Sequence, residues 1–377
     1  MTTILRPTRF SLIGVSILDV GALRGLNYIG LTNAGGAPTN IFLIMGPNGA
    51  GKTTILEAIY GAMKLLDQKA VSDFQNEALD RGKGGVQLDA RVVLDDGIRS
   101  KPYLLSIVLG EPGLLRQAKP EELERLEVEE QITLHYRARP GHGVDRTPSS
   151  SPIAVQFAEA LIERAGDPPR SLFETSNGYP TVLYFPSDRG IRRPPQTERA
   201  ITTPKGLGYA PAHRFDVDGD TWAGSLDNLF VWFTWLADGR DELCRELVNT
   251  LVFRNSKQLG KVNRQTLAVP VVVDGEEHRL DQLSSGERQL VQLVVRVASH
   301  MTGSTIVLID ETEQHLHLVM RRRLLNIIKD WARPEDGPSF IMTSHQVESM
   351  RLLAPKLEEE GLVKGGCLVK AKFKLPA

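Results

Sequence analysis

Residues 41–66 read IFLIMGPNGAGKTTILEAIYGAMKLL, and this stretch decides the fold. Ile41 to Met45 is an uninterrupted apolar run, the pattern of a parallel strand covered on both faces. From Lys52 onward Ile55, Leu56, Ala58, Ile59, Ala62, Met63 and Leu66 recur at helical spacing. Between strand and helix lie Gly46, Pro47, Asn48, Gly49, Ala50, Gly51, Lys52 and Thr53, which satisfy GxxxxGK[ST] in the setting that motif requires. Glycines let successive backbone N–H groups curl around a phosphate, and the helix N-terminus adds a favourable dipole. Lys52 is placed to reach the outer phosphates, Thr53 offers a hydroxyl to Mg²⁺, and Thr54 extends the same phosphate-binding stretch. ATP and Mg²⁺ are therefore the expected cofactors.

Working outward, a second apolar strand, Thr305 to Ile309, ends in Asp310 and Glu311. Two carboxylates at the C-terminal edge of a sheet, beside a phosphate loop, divide naturally into two tasks. Asp310 would hold Mg²⁺ through water, and Glu311 would polarise the attacking water. Leu283 to Gln289 reads LSSGERQ at the start of a helix expected over Gly286 to Met301. There Ser284, Ser285 and Gly286 offer a hydroxyl and backbone amides at a helix N-terminus, which is an anion site. An ordinary serine N-cap with Glu287 in the first turn would use the same residues. The order of phosphate loop, LSSGE and acidic strand decides between the two.

The three motifs resemble the Walker A, signature and Walker B elements of ABC ATPases, and His345 in Thr343, Ser344, His345 resembles the switch histidine. The resemblance implies an α/β P-loop ABC-type ATPase head with a mixed sheet and a helical subdomain. It also implies a head-to-tail homodimer, with Ser284 and Gly286 of one copy meeting the nucleotide of the other, and His345 sensing the γ-phosphate in cis. Within that class the sequence is similar to the RecF-like and overcoming-lysogenisation-defect-like ATPases, compact AAA-type proteins of prokaryotic anti-phage systems. The likeness rests on LSSGERQ, on IDETEQHLH with Glu313, His315, Leu316 and His317, on the TSHQ ending, and loosely on YFPSDR at Tyr184 to Arg189. Thr312 stands where that family usually has proline, and Leu318 where proline often follows the second histidine. His315 and His317 also invite a metal reading, but no cysteine accompanies them and the resemblance gives them a place at the dimer seam. The only metal expected is Mg²⁺ on the nucleotide, at Thr53 and Asp310. Gln87 and Gln117 are the candidates for the family's Q-loop glutamine.

The remaining chain frames these motifs. Its 377 residues carry 45 basic and 46 acidic side chains, so no global field commits it to nucleic acid or membrane. Two cysteines exclude a disulfide framework, and the polar start, with no apolar stretch of spanning length, excludes a signal peptide and a membrane helix. A cytoplasmic protein is expected. Arg9 to Leu31 reads as two strands with tight turns, followed by a polar loop from Thr32 to Thr39; Gly85 to Leu94 and Tyr103 to Leu109 read as further strands. Arg139 to Pro152 has the composition of a mobile loop, and it sets the expected boundaries: 1–138 with the phosphate loop, 139–265 as a middle helical region, 266–377 with signature, carboxylates and switch histidine. In the middle region a helix is expected at Ile153 to Ala165, a strand at Thr181 to Phe185, and one or two buried helices over Leu226 to Leu251. Asp274-Gly275 reads as a hairpin turn after a strand over Leu267 to Val273. No long coiled coil is indicated.

Residues 186–214 hold Arg189, Arg192, Arg193, Arg199, Lys205 and Arg214 against Asp188 and Glu198, a local basic excess suited to DNA or an acidic partner, or equally to a solvated loop. The chain runs only about thirty residues past His345, too few for a second catalytic domain. The leading expectation is therefore an ATPase whose nucleotide-gated dimer, or a higher oligomer of it, controls a separate effector such as a nuclease or toxin in anti-phage defence. The alternatives are a RecF-like DNA-repair ATPase and an ATP-gated scaffold with little turnover.

Overall fold

The computed structural model describes residues 5–32, 38–67, 84–139, 143–334, 336–346 and 366–370, apart from positions 112, 114, 198 and 255. Most of the polar loop expected at 32–39, and Glu198 of the basic stretch, lie outside the described residues. Two six-stranded sheets organise the chain.

The central sheet contains β3 (Ile41–Met45), β8 (Pro180–Phe185), β10 (Ala212–Arg214), β15 (Ser304–Ile309), β16 (Ser339–Ser344) and β17 (Gly366–Lys370). Its order is β10-β8-β15-β16-β3-β17, and every pairing is parallel. Side chains alternate between two interiors. Phe42, Ile44, Val182, Tyr184, Ile306 and Leu308 enter one core cluster, whereas Ile41, Leu43, Leu183, Phe185, Val307 and Ile309 enter the other. This double burial is why these strands read as continuous apolar runs.

The first interior lies between the central sheet, helix α1 (Lys52–Lys64) and the second sheet. That sheet joins β1 (Arg6–Val20), β2 (Leu23–Gly30), β4 (Gly85–Asp95), β5 (Ser100–Gly110), β6 (Gln131–Arg139) and β7 (Gly143–Arg146) in the order β2-β1-β4-β5-β6-β7. All its pairings are antiparallel except β5 with β6, so the architecture is mixed α/β. The stretch expected as a mobile loop at 139–152 in fact supplies β7, which pairs with β6, and leads into helix α3 (Pro152–Arg164). Helix α2 (Pro120–Arg125) covers part of the sheet's outer face.

The second interior is closed by helices. The expected segment 226–251 forms α4 (Leu226–Leu236) and α5 (Arg240–Leu247), and continues as a π-helical turn, Val248–Phe253. Short strands β9 (Gly190–Ile191) and β11 (Val217–Asp218) pair with each other, and β12 (Gln258–Leu259), β13 (Pro270–Val273) and β14 (Glu276–Arg279) form a small sheet. Asp274 and Gly275, both at positive φ (51° and 86°), make the hairpin turn that this dipeptide favours. Helices α6 (Ser285–His300) and α7 (Leu318–Ala332) complete the layer. No long coiled coil, and no helix long and apolar enough to cross a membrane, occurs among the described residues.

Candidate functional site

Strands β15, β16 and β3 are neighbours and parallel, so their carboxyl ends open on one edge. In open α/β sheets that edge is where ligands bind. From β3 emerges the phosphate loop, from β15 Asp310 and Glu311, and from β16 His345. Residues separated by up to three hundred positions are thus brought together.

In the loop, Gly49 and Gly51 take φ of 77° and 87°, a region open to glycine at little cost. A Cβ on Gly51 would also fall 2.8 Å from Leu23 Cδ2, because the β1–β2 turn packs on the loop. Lys52 is buried, and its ammonium donates to the carbonyls of Gly46 and Pro47, each at 2.9 Å. The Thr53 hydroxyl donates to Asp310 Oδ2 at 2.8 Å, and the Thr343 hydroxyl donates to Asp310 Oδ1 at 2.6 Å. Asp310, 1% exposed, is therefore gripped from both sides. A hydroxyl and a carboxylate in contact at the end of a phosphate loop are hard oxygen donors suited to Mg²⁺, and the glycine loop beside them suits a nucleotide's phosphates.

Glu311 adopts φ of 45°, in the left-handed region that costs a non-glycine residue about 1 kcal/mol or more. Its amide donates to the Thr343 hydroxyl at 2.8 Å, and the Thr312 amide donates to the Thr343 carbonyl at 3.1 Å. The second bond gives the departure at 312 a physical reason, since proline there would have no N–H to give. Behind the turn stands Arg189, 5% exposed, whose guanidinium donates to the carbonyls of Pro186 (2.8 Å), Asp310 (2.6 Å) and Glu311 (3.4 Å). Burial pulls this guanidinium down to about 10, against the opposing pull of Asp310, Glu313 and Glu311, so it stays charged at neutral pH.

Glu313 turns inward from the same loop and binds His345 twice. Its Oε1 accepts the His345 backbone N–H at 2.8 Å and lies 2.9 Å from Nδ1. A proton on Nδ1 leaves Nε2 of this half-exposed ring available on the other side. His315 and His317 are exposed, while the carboxylate beside them in sequence is occupied by His345.

Ser284 caps α6. Its hydroxyl accepts from the Glu287 amide at 3.3 Å, Glu287 Oε2 accepts from the Ser284 amide at 3.1 Å, and Lys257 lies 3.0 Å from the Glu287 carboxylate. The hydrogen bonds from Ser284 and Lys257 hold the Glu287 carboxyl below its ordinary value in spite of burial. The capping reading is the one observed, since the Ser284 hydroxyl and amide both donate to Glu287 (2.8 and 3.1 Å), while Ser284 and Ser285 remain exposed at the helix start. Gly286 is buried; a Cβ there would lie 3.2 Å from Leu316 Cδ2 and 3.4 Å from the His315 carbonyl. The signature turn therefore sits against the loop that follows Glu313.

Sequence reasoning missed Arg189, Glu313 and Thr343 as parts of the site. In sequence Arg189 belongs to the basic stretch 186–214, and the fold takes it out of that stretch. Arg189 is buried and Arg199 donates to the Thr266 carbonyl, while Arg192, Arg193, Lys205 and Arg214 stay exposed, Arg192 beside Asp220 and Arg214 beside Asp216. Gln87 lies in β4, donating to Asp89 and to the Arg116 carbonyl, within a buried polar cluster of the second sheet.

A family model described as "AAA domain, putative AbiEii toxin, Type IV TA system" matches residues 110–351, well over half of the chain. The chain belongs to this AAA domain family. A second AAA domain model matches residues 17–83, so the two matches cover the phosphate loop and the carboxylate strand of this AAA protein. UvrABC system protein A of Deinococcus radiodurans is 30% identical over 89 residues, 23% of this chain and 9% of that protein; the chain thus matches about a tenth of that relative's length. The SMC head domain from Thermotoga maritima is similar at a TM-score of 0.39 and 13% identity, covering 91% of this chain and 92% of that one. A bacterial ABC transporter cassette in dimeric form gives a TM-score of 0.34 and 12% identity, covering 96% and 94%.

Proposed function

We propose that this AAA protein binds and hydrolyses ATP, that two copies close head to tail around the nucleotide, and that closure controls a separate effector in anti-phage defence. The single observation that carries the catalytic part is the contact of Thr53 with Asp310 at the meeting of phosphate loop and acidic strand. Lys52 and the loop amides bind the phosphates; Thr53 with Asp310 would hold Mg²⁺, which would supply charge neutralisation to the phosphoryl group. Glu311 orients the attacking water and accepts its proton. His345, held by Glu313, offers Nε2 to the γ-phosphate.

Support for self-association comes from the signature turn. Ser284 and Ser285 are exposed beside the start of α7, where Leu318 is 49% and Val319 67% exposed, so an apolar step adjoins the anion site. The toxin–antitoxin wording of the family description supports a partnered role, and the RecF-like or overcoming-lysogenisation-defect-like grouping belongs to the same proposal. So do the three stretches 1–138, 139–265 and 266–377 as functional units. The burial of Arg189 reduces the basic stretch without removing it, since Arg192, Arg193, Lys205 and Arg214 stay exposed.

Two variants test the catalytic claim together. Lys52→Ala removes the cation aimed at the phosphates and should abolish ATP binding measured by equilibrium dialysis. Glu311→Gln should bind ATP as wild type does while kcat falls by about two to four orders of magnitude, several kcal/mol at the transition state. Unimpaired turnover in Glu311→Gln would remove it from the mechanism.

A further inference from the structure

A polar stripe on α6 reaches from the signature turn toward the back of the carboxylate loop. Arg288, Gln289, Gln292 and Arg296 recur at helical spacing on one face, and the last three are buried. Each holds the short β9–β11 pair or a segment beside it. Arg288 donates to the Ile191 carbonyl at 2.9 Å, Gln289 reaches the Arg189 carbonyl at 3.5 Å, and Gln292 donates to the Asp216 carbonyl at 2.7 Å. Arg296 pairs with buried Asp218 at 3.3 Å. Residues 189–191 are thus fixed to α6 on one side, while the Arg189 side chain grips the peptides of Asp310 and Glu311 on the other.

A buried guanidinium without a carboxylate in contact would be costly on its own. Here the neighbouring charges of Asp310, Glu311 and Glu313 offset it, and it in turn offsets their mutual repulsion. Its planar fork meets convergent carbonyl oxygens, a geometry that lysine cannot reproduce.

We infer that Arg189 is a positioning residue that ties the signature helix to the chain's own carboxylate turn, so that movement of the Ser284–Gly286 end of α6 alters where Glu311 points. The inference deepens the proposed function and rests on it for its catalytic meaning. In a head-to-tail dimer the signature turn serves the partner's nucleotide and Glu311 serves its own, so this link makes each site sense the other.

The experiment combines turnover with amide exchange in the full chain. Arg189→Lys keeps the charge and loses the fork. Expected are an ATP Kd within about twofold of wild type, a kcat lower by about tenfold or more, a lower thermal midpoint from the lost buried hydrogen bonds, and faster amide exchange at residues 309–313, with exchange in α1 unchanged. A general loss of structure would instead change Kd and α1 exchange as well. Arg288→Ala, on the helix, should also speed exchange at 309–313, and its effect on kcat should fall short of multiplying with that of Arg189→Lys. Unchanged exchange at 309–313 in Arg189→Lys, or effects on kcat that multiply as independent ones, would overturn the link. If Arg189→Lys does not fold, the exchange pattern of Arg288→Ala decides alone. A wild-type chain that turns over no ATP contradicts the proposed function only, and exchange at 309–313 still decides whether the link exists.

Discussion

Glu313 spends one carboxylate oxygen on two donors of His345, and this small arrangement shows how the site's geometry is set residue by residue. With the carboxylate removed, the imidazole keeps its place in sequence and loses its orientation. Glu313→Ala should therefore lower kcat by about tenfold or more while leaving ATP affinity near wild type, read from steady-state turnover beside direct binding. A fall in affinity alone would assign Glu313 to ground-state binding instead. Residues whose chemistry is carried by their own type, Lys52, Thr53, Asp310 and Glu311, were legible in the sequence because each lies inside a motif. Thr343, Glu313 and Arg189 were less so. Their partners lie 33, 32 and 121 positions away, and only the parallel register of β8, β15 and β16 brings them together.

Among the elements, α4 is tethered through its first turn. Asp227, 7% exposed, accepts from the Val269 amide at 2.9 Å, which fastens the helix to the segment that leads into β13. Burial pushes its carboxyl up to about 6, against the lowering by that amide and by Arg199. The folded chain thus holds this proton more tightly than the unfolded chain. The stability it contributes is complete below about pH 4 and is lost as pH rises through about 6. Asp227→Asn cannot ionise, so it should exceed wild type by about 2–3 kcal/mol at pH 7.5 and by little at pH 4 in urea unfolding. The same difference at both pH values would contradict this assignment. The signature turn makes a second prediction. Gly286→Asp places a side chain against Leu316 and a charge beside the proposed anion site. Mixed with Lys52→Ala, it should restore activity through one intact composite site; no recovery, with subunit exchange confirmed, would count against action in trans.

For the whole molecule, the parallel sheet and its site edge were legible because double burial writes itself as runs such as Ile41 to Met45 and Thr305 to Ile309. The second sheet was legible only in part. β6 alternates Ile132, Leu134 and Tyr136 with polar residues, but its parallel partner β5 is chosen by tertiary packing, and β7 hides in residues with loop composition. The phosphate loop follows β3 and Ser284–Gly286 opens α6, with both serines exposed, and in the proposed clamp a second copy completes each site. Sedimentation equilibrium of Glu311→Gln with Mg-ATP tests that requirement most directly. Because the dimer is proposed to bind ATP more tightly than the separate chains do, persistent ATP must favour association. The Glu311→Gln dimer should show an association constant at least tenfold above that of wild type under turnover, and little association without nucleotide. An association constant that does not change when ATP is bound would contradict the clamp.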